Sequence, residues 1–366
     1  MTHIAQGLHG SIANVAPPLG RAAPPPARGL PGWVYGAVRA TSSLVGAGLD
    51  AALAGVQALL PASERDAPDS PAREALIAAL NGVVGDQLDR TRNPLATAMA
   101  IVPAAAAGPH LLLLVHGLCM NERQWLRSGH DHGAALATLG YTPLYLRYNS
   151  GRHISTNGAE LALLLETRIA SSPVPVESVT IIGHSMGGLL ARSAVHQAQA
   201  GGLAWPKLLR KMVFLGTPHH GAALERGGNR IHRALGVSPY LAPFARLSGL
   251  RSDGITDLRH GNLLEADWDH DRFDARDTRV PVPLPRGVAC YAVAGAIAEA
   301  RADAWIGDGL VSVSSALGRH TRTTRDLHLP PSHTWTARGV HHLDLLGSPA
   351  VYRHLRQWLK PPAPAH

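Results

Sequence analysis

The chain has 366 residues, 45% hydrophobic and 16% charged, enough to bury a large core and unlike a disordered or fibrous composition. Its net charge of +8 comes from scattered Arg and Lys with no dense basic block, so no nucleic-acid-binding face is indicated. Two cysteines, Cys119 and Cys290, exclude a disulfide framework but leave a single bridge open.

Residues 1–30 are rich in Ala and Pro and are expected to be disordered. They show no cationic start followed by an apolar run, so no signal peptide is read and the cytoplasm is the expected location. Segment 33–60 carries Val38, Val45, Leu49, Leu53, Val56 and Leu60 at roughly helical spacing. Arg39 and Asp50 interrupt it and leave too short an uncharged run to span a bilayer. An amphipathic helix docked on the body is expected. Peripheral membrane contact through 33–60 is the alternative, disfavoured because the polar face lacks Lys/Arg enrichment. A second helix starts with Ser70 as N-cap and Pro71 in the first turn, then runs through Leu76, Leu80 and Val84 to Leu88. Residues 31–103 therefore read as an N-terminal helical region.

From residue 104 the pattern becomes an alternation of strands and helices. Strands are predicted at 111–115, 144–148, 179–182, 211–215 and 289–295, with helical segments at 132–139, 158–170, 189–199 and 349–359. The run Leu111–Leu112–Leu113–Leu114–Val115 is apolar throughout, as a strand covered on both faces must be. The fold class predicted is α/β: a mainly parallel sheet with helices on both faces, built from 104–216 and 287–360, and a flexible tail at 361–366. The segment 217–286 is longer than a crossover needs. It holds helix candidates at 225–235 and 239–247 and reads as a helical lid or cap inserted over the site. Its aspartates (Asp267, Asp269, Asp271, Asp274, Asp277) lack the glycine and terminal glutamate of a calcium loop, so a solvated loop is expected.

The strand 179–182 runs into Gly183-His184-Ser185-Met186-Gly187, which fits G-x-S-x-G, and a helix follows directly. Glycines two residues either side of Ser185 remove the side chains that so tight a turn would make collide. A serine hydroxyl needs a base, and the base needs a carboxylate to orient it. Asp308, flanked by Gly307 and Gly309, is the carboxylate candidate, with Asp303 and Glu299 as competitors. Among 21 histidines, His341 and His342 stand out by position ahead of the closing helix, and His342 is preferred. His320, His328 and His333 come too early in the chain, and His116 and His184 are expected to pack beside the site. The oxyanion donors expected are the backbone N–H groups of Met186, after the nucleophile, and Leu118, after the strand ending Val115-His116-Gly117.

Leu114-Val115-His116-Gly117-Leu118, the 183–188 elbow, Asp308-Gly309-Leu310-Val311 and His342-Leu343-Asp344 together resemble the α/β-hydrolase lipases and esterases. Leu215-Gly216-Thr217-Pro218-His219-His220-Gly221 is similar to the segment after the next strand in bacterial lipases and GPI inositol-deacylase-like esterases. The resemblance covers roughly 110–360. It implies an α/β-hydrolase fold, a Ser185–Asp308–His342 triad, Leu118 and Met186 as oxyanion donors, and no cofactor. Some secreted lipases of this type bind structural calcium near the histidine loop. Asp344 matches one ligand position, but no second aspartate does, so no metal is predicted. The expected activity is hydrolysis of small-molecule or lipid carboxylic esters through an acyl-enzyme. A thioesterase, amidase or phospholipase with the same triad, or a non-catalytic scaffold used for binding, are the alternatives. The oligomeric state is not read.

Overall fold

The computed structural model describes residues 71–103, 107–222, 252–268, 277–297 and 307–360. The segment 33–60, with its docking or membrane contact, and the helix candidates at 225–235 and 239–247 lie outside the described residues, as do Asp303 and Glu299.

A seven-stranded sheet organises the rest, in the order β1-β3-β2-β4-β5-β6-β7. Its strands are β1 (Ala100–Pro103), β2 (His110–Val115), β3 (Thr142–Arg147), β4 (Ser178–His184), β5 (Leu209–Leu215), β6 (Ala289–Ala296) and β7 (Thr334–Arg338). All neighbours pair in parallel except β1, which runs antiparallel to β3 at the edge. The sheet therefore begins at residue 100, ahead of the 104 boundary expected from the sequence.

Strand periodicity explains why both faces are apolar. Leu111, Leu113 and Val115 of β2 join one core with Val179, Ile181, Met212 and Phe214. Leu112 and Leu114 join the other with Ile182, Val213 and Leu215. Helices α3 (Ile154–Ala170) and α4 (Met186–Ala200) cover the first face through Leu161, Leu165, Leu189 and Leu190. The short α2 (His132–Leu136) and the closing α6 (Pro349–Leu359) cover the second through Leu136, Val351, Leu355 and Leu359. Each such leucine, fully removed from water, contributes about 2 kcal/mol.

The N-terminal helix α1 (Pro71–Arg90) kinks at Val84 and packs through Val83, Val84 and Leu88 around Cys119, with glycines at its closest contacts. A Cβ on Gly82 would come 2.1 Å from Cys119 Sγ, and one on Gly85 would come 1.9 Å from Asn149 Oδ1. Both glycines are thus needed for the helix to approach the loops after β2 and β3 so closely. Asn149 Nδ2 also donates to Gly85 O at 2.9 Å. Cys119 and Cys290 are both free thiols.

The described parts of 217–286 pack into the body. Leu258, Leu263 and Val282 lie in the first core. Asp257, on the short helix α5 (Asp253–Asp257), is buried and accepts the Ile154 N–H at 2.8 Å, capping α3. Asp267 and Asp277 are taken up by backbone amides and by arginines, respectively. Asp344 pairs with Arg127 at 2.9 Å. Among the described residues no cluster of metal-binding side chains is found, and no helix is long and apolar enough to cross a membrane.

Candidate active site

Ser185 stands between the end of β4 and the start of α4 with φ 54° and ψ −126°, a strained backbone position for a residue with a side chain. Close packing enforces it. A Cβ on Gly183 would lie 2.5 Å from the Gly188 backbone, and one on Gly187 would lie 2.2 Å from Val115 O. Ser185 N–H donates to Leu215 O at 2.8 Å, tying the turn to the end of β5. The serine is half-buried and so reachable from solvent.

Asp308 and His342 meet. His342 Nδ1 donates to Asp308 Oδ2 at 2.7 Å, which leaves Nε2 as the basic nitrogen of the neutral ring. The other Asp308 oxygen accepts the Leu310 and Val311 N–H groups at 3.0 and 2.9 Å. His342 N–H returns to Asp308 O at 3.2 Å. Both side chains are almost wholly buried, at 1% and 4% exposure, so the pair is held dry. His341, in contrast, offers its carbonyl to Asp344 N–H. Gly216, next to the Leu215 carbonyl that holds Ser185, faces the pair. A Cβ there would lie 3.0 Å from His342 Nδ1 and 3.1 Å from Asp308 Oδ2. Residues 215 and 216 thus bring the serine turn and the acid–imidazole pair to one rim. No hydrogen bond closes between Ser185 and His342 in this structure, as is common before a substrate tightens such a site.

The loop after β2 also closes on Ser185. A Cβ on Gly117 would approach Ser185 Cβ to 3.0 Å. Leu118 follows, then Cys119 at φ 60° with its N–H fixed on Ser150 Oγ at 3.0 Å. Met186 is the first residue of α4, so its N–H has no intrahelical acceptor. His184 lies under the rim and donates from Nε2 to His342 O at 3.0 Å. Burial, then the neighbouring His342, holds its pKa well below the usual value. His116 stacks on Tyr148, and burial pulls its pKa down to about 4. His320, His328 and His333 bond to nearby backbone outside this rim. Ser150, which sequence reasoning missed, carried one signal: it sits just past β3, where loop residues of a parallel sheet gather at the strands' C-terminal edge.

A mainly parallel sheet with a strained serine at the turn after a central strand defines an α/β-hydrolase fold of the esterase/lipase type. The chain belongs to the PGAP1-like alpha/beta domain family, whose model matches residues 108–318. That span contains Leu118, the elbow and Asp308, and ends before His342. A search of curated proteins finds no match. Solved structures similar in fold include a Bacillus licheniformis lipase in mature form (17% identity, 72% of this chain and 98% of that chain, TM-score 0.46). A Pyrococcus furiosus esterase aligns at 15% identity over 72% of this chain and 87% of that chain, TM-score 0.41. The type II thioesterase of the borrelidin biosynthetic cluster aligns at 15% identity over 71% and 95%, TM-score 0.38.

Proposed function

We propose that the protein is a serine hydrolase of carboxylic esters that works through an acyl-enzyme. The observation that carries this reading is the buried Asp308–His342 hydrogen bond, 2.7 Å long, beside the strained Ser185. In this mechanism His342 Nε2 takes the Ser185 proton as Oγ attacks the ester carbonyl. The same imidazolium then returns the proton to the leaving alcohol. Asp308 fixes the tautomer and stabilises the positive ring, while the backbone amides hold it as an acceptor. The N–H groups of Leu118 and Met186 receive the tetrahedral oxyanion. Water then enters by the same base and releases the acid.

The test is labelling with a fluorophosphonate, followed by turnover of p-nitrophenyl esters of graded chain length beside thioester and amide analogues. Wild type is expected to label and to hydrolyse esters fastest. Ser185→Ala is expected to lose labelling and at least about 10³-fold in kcat. Folded wild-type protein that neither labels nor turns over any of these substrates would sink the proposal in favour of a binding scaffold.

A further inference from the structure

Beside the rim, past the turn that follows β5, lies a cavity of about 360 Å³ that the ester chemistry does not use. Arg192 of α4, His219, Arg279, Val280 and Arg325 are on its wall. His219 is three positions past Gly216, so the cavity is within roughly 10 Å of chain from the acid–imidazole pair.

The charges on its wall do not balance locally. Arg279 takes both oxygens of Asp277, at 2.9 and 3.0 Å, and Arg325 pairs with the same carboxylate. Against the pull of burial, these two guanidiniums hold Asp277 far below the usual carboxylate range. The two carboxylates on the wall itself are committed to backbone amides. Asp267 accepts from Leu263, Leu264 and Val280, and Asp326 from His320 and His328. Arg192 has no carboxylate partner among the described residues. It is 5% exposed, gives one Nη to Val282 O at 2.5 Å and the other to His219 Nδ1 at 3.2 Å. Its Nε has no partner among the described residues. Because His219 Nδ1 accepts, Nε2 carries the ring proton, and that donor too is without a described partner. Burial, then Arg279, pulls the Arg192 guanidinium down to about 9. A buried cation with one orphaned donor, beside a buried imidazole with another, is costly unless something supplies charge and acceptors.

We propose that this cavity is a binding site for an anionic group of the phosphate or carboxylate class, recognised by Arg192 and His219. A planar guanidinium matches two oxygens of such a group, and an imidazole N–H matches a third. The volume exceeds a bare oxyanion, so the group can carry a substituent. Anion binding here does not depend on Ser185 chemistry and can be read without turnover.

The full chain is titrated with sodium phosphate against sodium chloride at matched ionic strength, following thermal unfolding. A saturable rise of about 5 °C is expected at a hundredfold excess over Kd. Arg192→Met, which keeps the aliphatic stem, is expected to abolish it. Val280→Glu at the exposed mouth adds a like charge without touching the core, and is expected to weaken phosphate about tenfold. That second variant carries the test if Arg192→Met fails to fold. KM for a neutral p-nitrophenyl ester beside one bearing a terminal carboxylate separates the two sources of the anion. A substrate-borne anion gives a selective rise of about tenfold in the variants, and a free effector gives none. No phosphate stabilisation beyond chloride together with no selective KM change, or stabilisation undiminished in both variants, overturns the proposal.

Discussion

The two sides of the rim are held in place by different parts of the chain. The acid–imidazole side is braced by the Leu310 and Val311 amides on Asp308, by Asp308 on the His342 ring, and by His184 at the end of β4 on the His342 carbonyl. The side proposed to donate to the oxyanion is braced by other elements, helix α1 and the loop after β3. The 117–120 loop leans on α1, with Gly82 against Cys119, while Ser150 beyond β3 holds the Cys119 amide. Helix α1 is itself fastened by Asn81, which bonds Leu95 O and Thr97 N, and by Ser252 Oγ on Gly82 O. It also precedes the 108–318 span that defines the family. Proton-transfer geometry is thus secured among the loops at the strand ends, and donor geometry in part by a helix that lies ahead of the 108–318 span.

The sharpest way to break the acid–imidazole side is Asp308→Asn. The amide keeps the shape, but its NH2 can bond an unprotonated Nδ1 and stabilise the wrong tautomer. A kcat loss of about 10⁴-fold is expected, with KM close to wild type. Circular dichroism should stay unchanged, since shape and volume are conserved. A variant within tenfold of wild-type kcat would remove Asp308 from the mechanism.

The donor side is sharpened by Gly82→Ala. The new methyl would meet Cys119 Sγ at 2.1 Å and the Cys119 backbone at 2.8–2.9 Å, so the loop must move. Overpacking of this kind costs about 1–3 kcal/mol, and displaced donors lower kcat with KM little changed, by about 10- to 100-fold. Cys119→Ala in the same chain removes the sulfur clash and leaves the backbone one, so partial recovery of kcat is expected in the double-mutant cycle. Lost stability with an unchanged kcat would show that α1 merely packs there.

What was legible in the sequence follows from the same contrast. Strands β2, β4, β5 and β6 announce themselves because alternate residues enter two different cores, leaving continuous apolar runs such as 111–115. The elbow was legible because its glycines sit at fixed offsets from Ser185, and Asp308 because glycines flank it. Strands β1 and β7 were not, being four and five residues long and half-exposed at the sheet's two edges. The bracing role of α1 was invisible for a deeper reason. The apolar positions 76, 80, 84 and 88 announce a helix, but its closest contacts run through missing side chains at Gly82 and Gly85, which say nothing of the loops they meet. Arg192 was equally silent, since within Ala191-Arg192-Ser193-Ala194 it reads as a solvent-facing helix position, yet it is buried.

The smallest expected effect tests whether the two sides fail together in acid. His116 lies on the donor side and His184 under the acid–imidazole side, and both are wholly buried. Burial lowers both, His116 to about 4 and His184 well below its usual value, against about 6.5 in an unfolded chain. A depressed imidazole binds fewer protons when folded than when unfolded, so stability is fully present above pH 6.5 and falls as pH drops through 6.5 toward 4. For His116 alone the loss by pH 4 is on the order of 2 kcal/mol. Urea midpoints measured from pH 7.5 to 4 should be flat at the top and decline below 6.5, and His116→Gln should flatten that decline by its share. His116 Nε2 is the buried nitrogen without a described partner, so it is where the added proton would find no acceptor. An unaltered slope in His116→Gln would assign the acid sensitivity elsewhere, with His184 the next to substitute because its carbonyl partner belongs to His342 itself.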